Sequence, residues 1–402
     1  MEKNDLVTLF EPYSTSDFLA EVYGRTFAHI PGLTDRFADL LPWNALNAIL
    51  SQHRLDYPRV RLSKDGRNIP AETFIRNTPA RRGGTIPRIV VPSLFKQLRG
   101  GATLIVDAID EAYAPVGKVA EFLEKLLREY VQVNAYIGWG ETKGFDLHWD
   151  DHDVIVFQIT GRKAWQIYKP TRLYPMYRDI EPNLDAPKDE PVWNGTLCAG
   201  DLLYIPRGWW HVATPLNDAT VHLTFGIVKR SGVDLISWMA DQLRSRPVCR
   251  MDLPRFADPT VQSAHLELIK NEFVSMWDGD LLHRYFRGLD EAAQPRTYAS
   301  FPFAVQREFK PNSDDLTVRL TIARPISLGK DDTNSFLKLS ANGKILTFKK
   351  PADIILQYLL KHEVCLLRDL YRVAEGILPR EVVRTFVGEL LAEGLIAIPS
   401  GE

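Results

Sequence analysis

Cysteine is scarce in this sequence, and the few cysteines present are far apart. The 402 residues contain three, Cys198, Cys249 and Cys365, which is an odd number with wide spacing. This pattern argues against a disulfide framework and against a zinc finger. No run approaches the ~18 to 20 uninterrupted apolar residues of a transmembrane helix, and the amino terminus lacks the basic-then-apolar pattern of a signal peptide. These absences predict a reduced, cytoplasmic protein.

The composition is otherwise ordinary, with 45% hydrophobic and 25% charged residues, and the length suits two or three domains. The net charge of −2 conceals an asymmetry, because residues 54–99 carry eleven basic and three acidic side chains, net +8. The basic residues of this segment are Arg54, Arg59, Arg61, Lys64, Arg67, Arg76, Arg81, Arg82, Arg88, Lys96 and Arg99. Two interpretations stay open: solvated arginines on a loop-rich segment, or a positive surface that attracts an acidic peptide or a nucleic acid.

Hydrophobic periodicity divides the chain into helical and strand-rich parts. Residues 14–52 and 117–130 have apolar side chains three and four apart, which predicts helices. From residue 131 to about residue 227, short apolar stretches alternate with turn residues, which predicts a jelly roll or barrel. The pattern after residue 229 is helical again. We therefore predict a catalytic domain over residues 1–230, a helical region over 231–299 and a third domain over 300–402.

The last 50 residues have the pattern of a winged helix: two short helices, a third helix and a terminal strand. Residues 353–402 contain five basic and eight acidic side chains, net −3, whereas phosphate binding needs the opposite sign. Direct DNA binding is therefore not expected, and contact with a protein is the better interpretation of this domain.

The strongest chemical motif is GFDLHWDDHD, in which His148 and Asp150 are two residues apart. On an extended strand, residues i and i+2 point to the same side, so that one ion can bind both. His211 follows 61 residues after Asp150, in GDLLYIPRGWWH, where Pro206 and Gly208 predict a turn between two strands that form a hairpin. Two histidines and one carboxylate are the facial triad of non-haem Fe(II) sites, which leaves three coordination positions open.

These motifs resemble the JmjC-type 2-oxoglutarate oxygenases of the cupin-4, or ribosomal oxygenase, family. The resemblance lies in NAYIGWGETKGFDLHWDDHDVIVFQITGRKAWQIYKP, in GTLCAGDLLYIPRGWWH and in HLTFGI, and it extends to YGRTFAHIPG near the start. It implies a mixed β and α fold: a double-stranded β-helix (jelly roll), then a helical region that forms a homodimer, then a carboxy-terminal winged helix.

The resemblance also implies the site. His148, Asp150 and His211 match the iron ligands, and Lys163 matches the basic residue that holds the distal carboxylate of 2-oxoglutarate. Asn134 and Tyr136 match positions that line the same pocket, and Thr224 is a further candidate. A buried cation at Lys163 is physically reasonable because the co-substrate is a dianion that must be desolvated. No catalytic residue beyond the metal ligands is expected, since the protein's task is to orient its substrates and exclude water.

The implied reaction is hydroxylation of a side chain of a protein or peptide, either ribosomal-protein-like or a modified natural-product peptide. Two alternatives stay open: a metal-binding cupin of another reaction type, and a non-enzymatic winged-helix regulator with the barrel as a sensor. His152 is interpreted as substrate-facing or solvated rather than as a ligand, and His222 as a structural residue. The tryptophans Trp209 and Trp210 are interpreted as core or rim packing.

Overall fold

The structure is a computed structural model, and it describes residues 6, 8–177, 179, 186–326, 328–330 and 336–399. The chain divides into two compact units, Met1–Lys229 and Arg230–Glu402. Each unit has its own hydrophobic core, and the three-domain division proposed from the sequence stays a prediction.

The first unit contains most of the strands. They are β1 (Ala28–Ile30), β2 (Val60–Lys64), β3 (Arg67–Ile69), β4 (Ile75–Pro79), β5 (Thr85–Ile89), β6 (Thr103–Val106), β7 (Val131–Gly138), β8 (Asp153–Thr160), β9 (Arg162–Tyr168), β10 (Trp193–Cys198), β11 (Leu202–Ile205), β12 (Trp210–Pro215) and β13 (Thr220–Ile227). Its helices are α1 (Thr15–Asp17), α2 (Trp43–Gln52), α3 (Val91–Arg99), α4 (Ile109–Ala112) and α5 (Ala114–Leu127).

Two antiparallel sheets face each other in this unit. The large sheet has the strand order β1-β11-β8-β13-β7-β6-β2-β3, and the small sheet has the order β10-β9-β12. Val154 and Val156 of β8 pack with Trp165 and Ile167 of β9, so the two sheets share a core. The mixed α and β fold with a large antiparallel sheet, as a JmjC jelly roll requires, is confirmed.

The position of strand β8 between two hydrophobic cores explains why its sequence, DVIVFQIT, is apolar almost throughout. Val154 and Val156 point towards the small sheet, whereas Ile155, Phe157 and Ile159 belong to the larger core that covers the opposite face. Successive side chains of a strand point to opposite faces, and here both faces are covered. A strand in this position therefore has no polar side to display.

The second unit combines helices with short sheets. Its helices are α6 (Gly232–Gln242), α7 (Pro247–Arg250), α8 (Pro259–Ser275), α9 (Leu281–Ala292), α10 (Asp353–His362), α11 (Leu367–Val373) and α12 (Arg380–Ala392). Its strands are β14 (Thr317–Leu320), β15 (Gly329–Lys330), β16 (Phe336–Ala341), β17 (Lys344–Lys349), β18 (Val364–Leu366) and β19 (Ile396–Ala397). Among the described residues, no helix combines the length and apolarity needed to cross a membrane.

Two local predictions were wrong. Residues 148–150 do not form a strand, because His148 makes only a single bridge, to His211. The turn at Pro206 and Gly208 does not close a hairpin either. Strand β11 before it belongs to the large sheet and β12 after it to the small sheet, so the turn carries the chain from one sheet to the other. The hydrophobic periodicity of a segment predicts a strand, but it does not indicate which other strand that strand pairs with.

Candidate metal centre

The side chains of His148, Asp150 and His211 converge on one point between the two sheets. One nitrogen or oxygen atom from each lies within 4.8 Å of the others, and this is the only such group of three among the described residues. His211 Nε2 lies 3.6 Å from Asp150 Oδ2, and His148 Nε2 lies 4.0 Å from Asp150 Oδ1. Two imidazoles and a carboxylate in this arrangement suit Fe(II), which accepts nitrogen and oxygen ligands on one face of an octahedron.

Backbone hydrogen bonds hold the segments that carry these side chains. The peptide groups of His148 and His211 exchange two hydrogen bonds, N to O, of 3.2 and 2.7 Å. The Gly208 N–H donates to the Asp150 carbonyl at 2.9 Å. Asp153, which is fully buried, accepts a hydrogen bond from the Arg207 N–H at 3.0 Å and also bonds Tyr204 Oη and Lys229 Nζ. The turn before His211 is thus attached to the segment that carries Asp150.

Both imidazoles present the same nitrogen to the centre. His148 Nδ1 lies 2.7 Å from the Asp146 carbonyl, and His211 Nδ1 lies 3.1 Å from the Trp209 carbonyl. A proton on each Nδ1 satisfies these carbonyls and leaves the Nε2 lone pairs for a metal. Burial, with a contribution from His148, lowers the pKa of His211 to about 4, which keeps the imidazole neutral. Burial opposes ionisation of Asp150, but the histidines around it hold its pKa below the usual value.

A cavity of about 260 Å³ extends from this centre between the sheets. It is lined by Arg61, Thr103, Asn134, Tyr136, Gly144, Phe145, His148, Asp150, His152, Val154, Val156, Lys163, Trp165, His211, Ala213, His222, Thr224 and Gly226. Every residue predicted from the sequence for metal or co-substrate lines this cavity.

Lys163 lies in this cavity on β9 and is only 3% exposed. Burial lowers the pKa of its ammonium group to about 7. The neighbouring buried groups, Trp165 Nε1 and His222 Nδ1, have no hydrogen-bond partner in the part of the chain that the structure describes. Burial, followed by the nearby Lys163, lowers the pKa of His222 well below its usual value. Buried polar groups without partners are rare, and they mark a place where a bound group supplies the missing contacts.

Strands β7 and β13 pair so that the other predicted residues lie side by side. Asn134 is opposite Thr224, and Tyr136 is opposite His222. The Tyr136 and His222 rings stack with their centroids 4.8 Å apart, and Asn134 Oδ1 accepts the Ala108 N–H at 3.1 Å. Burial raises the pKa of Tyr136, so that its phenol remains a hydrogen-bond donor. The tyrosine is fixed in the wall of the cavity.

Several cavity residues were not predicted from the sequence, and Trp165, His222 and Arg61 are three of them. Trp165 lies two residues after Lys163 on the same strand face, a signal that strand alternation could have supplied. His222, interpreted as structural, is a cavity residue as well, two positions before Thr224. Arg61 lies far away in sequence and is held by Asp107 through two hydrogen bonds of 2.7 and 2.8 Å.

The residues of uncertain role have different positions. His152 lines the cavity but is not part of the three-residue cluster, and its Nδ1 lies 2.8 Å from Asp151 Oδ1. Trp210 is fully buried and donates to Thr171 Oγ1, whereas Trp209 is half-buried beside Phe27. Trp210 is therefore a core residue.

Comparison with known proteins agrees with the resemblance to JmjC proteins that the sequence motifs indicate. Residues 113–235 match the JmjC domain family. The chain is 27% identical over 228 residues to the bifunctional lysine-specific demethylase and histidyl-hydroxylase NO66 of Drosophila pseudoobscura pseudoobscura, covering 55% of this chain and 23% of that protein. With NO66 of Caenorhabditis elegans it shares 28% identity over 194 residues, 46% of this chain and 24% of the relative. The chain thus spans under a third of the length of these curated relatives.

Among solved structures, the fold is similar to that of YcfD, a ribosomal oxygenase from Escherichia coli. The TM-score is 0.55 with 15% sequence identity, covering 96% of this chain and 98% of YcfD. A YcfD structure with cobalt and 2-oxoglutarate has a TM-score of 0.54 and 15% identity over the same shares. The resemblance to JmjC proteins, predicted from the sequence, is confirmed by the match of residues 113–235 to the JmjC domain family.

Proposed function

We propose, starting from the JmjC domain that this chain carries, that the protein is an Fe(II)- and 2-oxoglutarate-dependent oxygenase that hydroxylates a side chain of a protein. The observation that carries this proposal is that two groups of side chains line the same cavity. It contains a two-histidine, one-carboxylate cluster and, in the same space, a buried lysine beside buried nitrogen atoms that have no hydrogen-bond partner among the described residues. The first suits iron and the second suits a dicarboxylate.

The residues fit both groups. His148, Asp150 and His211 would hold the iron, and Lys163 would pair with the distal carboxylate of 2-oxoglutarate, with Trp165 and His222 as further donors. Tyr136, Asn134 and Thr224 would line the same space. When bound, iron and 2-oxoglutarate together activate dioxygen, so that one oxygen atom enters a substrate C–H bond and the other converts 2-oxoglutarate to succinate and carbon dioxide.

The protein's own contribution is orientation and exclusion of water. Val154, Val156 and Ala213 form an apolar wall of the cavity, and Trp165 lies almost parallel to His211 with ring centroids 6.1 Å apart. A charged lysine in such surroundings is costly unless an anion is present. Binding of the dicarboxylate therefore removes a penalty as well as forming a contact. No general base is assigned, because the chemistry does not require one.

We propose a ribosomal-protein-like substrate. This is supported by the names of the relatives, a histidyl-hydroxylase in NO66 and a ribosomal oxygenase in YcfD. The test is to incubate the iron-loaded protein with 2-oxoglutarate, dioxygen and purified ribosomal proteins, and to map any mass increase of one oxygen atom by mass spectrometry. We expect one modified side chain, formed with succinate. Loss of a methyl group from lysine without added oxygen would replace hydroxylation by demethylation.

The cofactor assignment has a test that needs no substrate. Under anaerobic conditions, Fe(II) followed by 2-oxoglutarate should give a weak visible charge-transfer band that neither gives alone. The His148→Ala protein should not give it. If iron is bound and the band is absent, the oxygenase proposal is wrong, and a metal cupin of another reaction type takes its place.

The second unit supports two further parts of the proposal. We propose that α6 to α9 form a homodimer interface, because these helices and the short connections between them expose large apolar side chains: Val233, Ile236, Val261, Leu266, Leu268, Val274, Trp277, Leu282 and Phe286. Light scattering of the Leu266→Glu/Leu268→Glu protein tests the dimer.

We also propose that α10, α11 and α12 with the sheet β18-β14-β19 form a winged helix that contacts protein. We also propose a cytoplasmic location, which is supported by the small number and wide spacing of the cysteines in the sequence.

A further inference from the structure

Strands β4 and β5 form a separate two-stranded sheet within the basic segment. We call residues 75–89 the arginine hairpin. Its two strands pair from Ile75 opposite Ile89 to Pro79 opposite Thr85, and they belong to neither large nor small sheet. Residues 73–90 contain four arginines and no acidic residue. The arginines are Arg76, Arg81, Arg82 and Arg88, and all four are exposed.

These arginines differ from others in the same basic segment. Arg59 pairs with Glu111 at 2.5 Å, and Arg61 pairs with Asp107 at 2.7 Å. Within the part of the chain that the structure describes, no carboxylate lies within ion-pair distance of Arg76, Arg81, Arg82 or Arg88. The positive charge of the hairpin is therefore not neutralised locally.

The hairpin retains this charge at a cost to its own stability. Arg76 lies directly opposite Arg88 in the strand register, and like charges in this position destabilise a strand pair. Arg81 and Arg82 are adjacent at the tip, followed by Gly83 and Gly84. Both glycines have positive φ values, +88° and +78°, and a Cβ atom at either would meet nothing within 4 Å. The tip is open, and its backbone can approach a ligand closely.

The exposed chemistry fits a phosphate backbone better than a protein surface. Stable protein interfaces centre on buried apolar or aromatic anchors, and the exposed residues of the hairpin include no large apolar side chain. They are Arg76, Asn77, Pro79, Arg81, Arg82, Gly83, Gly84, Thr85 and Arg88. Arginine binds phosphate through two parallel hydrogen bonds. No aromatic residue lies on the hairpin, so stacking on unpaired bases is not its mode of binding.

We propose that the arginine hairpin binds the phosphate backbone of helical RNA. The choice of RNA over DNA rests on the proposed function, because a substrate from the ribosome is surrounded by structured RNA. Binding at the hairpin would bring the enzyme to its protein substrate through contacts that carry no sequence information. The hairpin is thus a docking element, and it does not take part in the reaction at the metal.

The test measures RNA binding by the full-length protein without iron or 2-oxoglutarate. The probe is a labelled RNA stem-loop with a stem of about 16 base pairs, followed by fluorescence anisotropy at several salt concentrations. Four phosphate contacts predict a slope of log K against log salt of about −3 to −4. In the Arg81→Glu/Arg82→Glu protein, we expect affinity at least roughly tenfold weaker and a slope smaller in magnitude by about 2.

A matched control carries the same change of charge on another hairpin. Lys338 and Lys349 are exposed on β16 and β17, and Lys338→Glu/Lys349→Glu also removes two positive charges and adds two negative ones. This control should bind RNA within about twofold of the unchanged protein. Equal loss in both variants would overturn the proposal, because binding would then follow net charge and not the hairpin.

Two further probes decide the kind of partner. A DNA duplex of the same sequence should bind several-fold more weakly than the RNA, and polyglutamate should not compete. Equal binding of DNA would overturn the choice of RNA, and competition by polyglutamate would replace it by an acidic protein partner. Failure here leaves hydroxylation untouched, because succinate formation with free ribosomal protein does not involve the hairpin. Conversely, RNA binding can hold while hydroxylation fails.

Discussion

The metal cluster and the lysine pocket are two regions of one cavity, and they differ in how far their polar groups are satisfied by hydrogen bonds within the protein. In the metal cluster, both Nδ1 atoms are satisfied by backbone carbonyls and the two histidine peptides bond each other. In the lysine pocket, formed by Lys163, Trp165 and His222, burial leaves polar atoms without a partner among the described residues and lowers the pKa of the ammonium group to about 7. The first region is complete in geometry before its ligand arrives.

This difference indicates how each region selects its ligand, a metal ion in the first and an anion in the second. The metal cluster fixes the direction of three donor atoms, which favours an ion of suitable coordination. The lysine pocket has a buried ammonium group and nitrogen atoms without a partner among the described residues, which favours an anionic ligand of matching length. Substitutions should therefore affect iron and 2-oxoglutarate separately, and the following predictions test that separation in order of decreasing effect.

The largest effect is expected for the metal ligands. His211→Ala removes a ligand itself, so iron affinity should fall by more than the roughly 10- to 100-fold typical of losing only a partner of a ligand. Anaerobic iron titration measures this. His152→Ala is the control, since His152 lines the cavity outside the cluster and its loss should leave iron binding in place. Equal loss of iron in both proteins would show that His152 is a ligand.

Lys163→Met should weaken 2-oxoglutarate and spare iron. Losing a charge-assisted hydrogen bond costs roughly 2 to 3 kcal/mol, which corresponds to a KM about 30- to 140-fold higher. Lys169→Met is the control, because Lys169 is exposed just beyond the same strand. The measurement is succinate formation against 2-oxoglutarate concentration. An unchanged KM in Lys163→Met would remove the lysine from the co-substrate site.

Affinity for 2-oxoglutarate should also depend on pH. With a pKa of about 7, Lys163 is charged below pH 7 and neutral above it in the empty site. A dianion binds the charged form, so binding above pH 7 must take up a proton and the Kd should rise by up to about tenfold per pH unit. Lys163→Arg should lose this dependence, because a guanidinium stays charged. A Kd that is flat from pH 7 to 9 in the unchanged protein would contradict the prediction.

The smallest effect is expected for Trp165→Phe, which keeps an aromatic ring beside His211 and removes the Nε1 donor. Loss of one neutral hydrogen bond, about 1 kcal/mol, should raise the KM for 2-oxoglutarate by about fivefold. Iron affinity should not change. A fall in iron affinity with no change in KM would mean that the ring supports His211 and that Nε1 does not face the co-substrate.

The three metal-ligand candidates could be predicted because each lies in a short, recognisable pattern, whereas Lys163, Asn134, Tyr136 and Thr224 were implied by the resemblance to a known family. The two-residue spacing of His148 and Asp150 is visible in one segment, and the Pro206–Gly208 turn before His211 is visible in another. Arg61 and His222 could not be assigned in this way, because their positions depend on pairing between distant strands. The register between β13 and β8 shifts at Val221 and His222, and no local pattern reports that irregularity.

Strand β8 has a consequence for genetics. Its odd- and even-numbered side chains serve two different cores, one of which forms the cavity wall. Any insertion or deletion of one residue would exchange the two sets at once. A screen for inactive mutants should therefore recover β8 variants as poorly accumulating proteins, while substitutions at the metal ligand His148 yield abundant but inactive ones. Protein abundance alone would sort the two classes of allele before any enzyme assay.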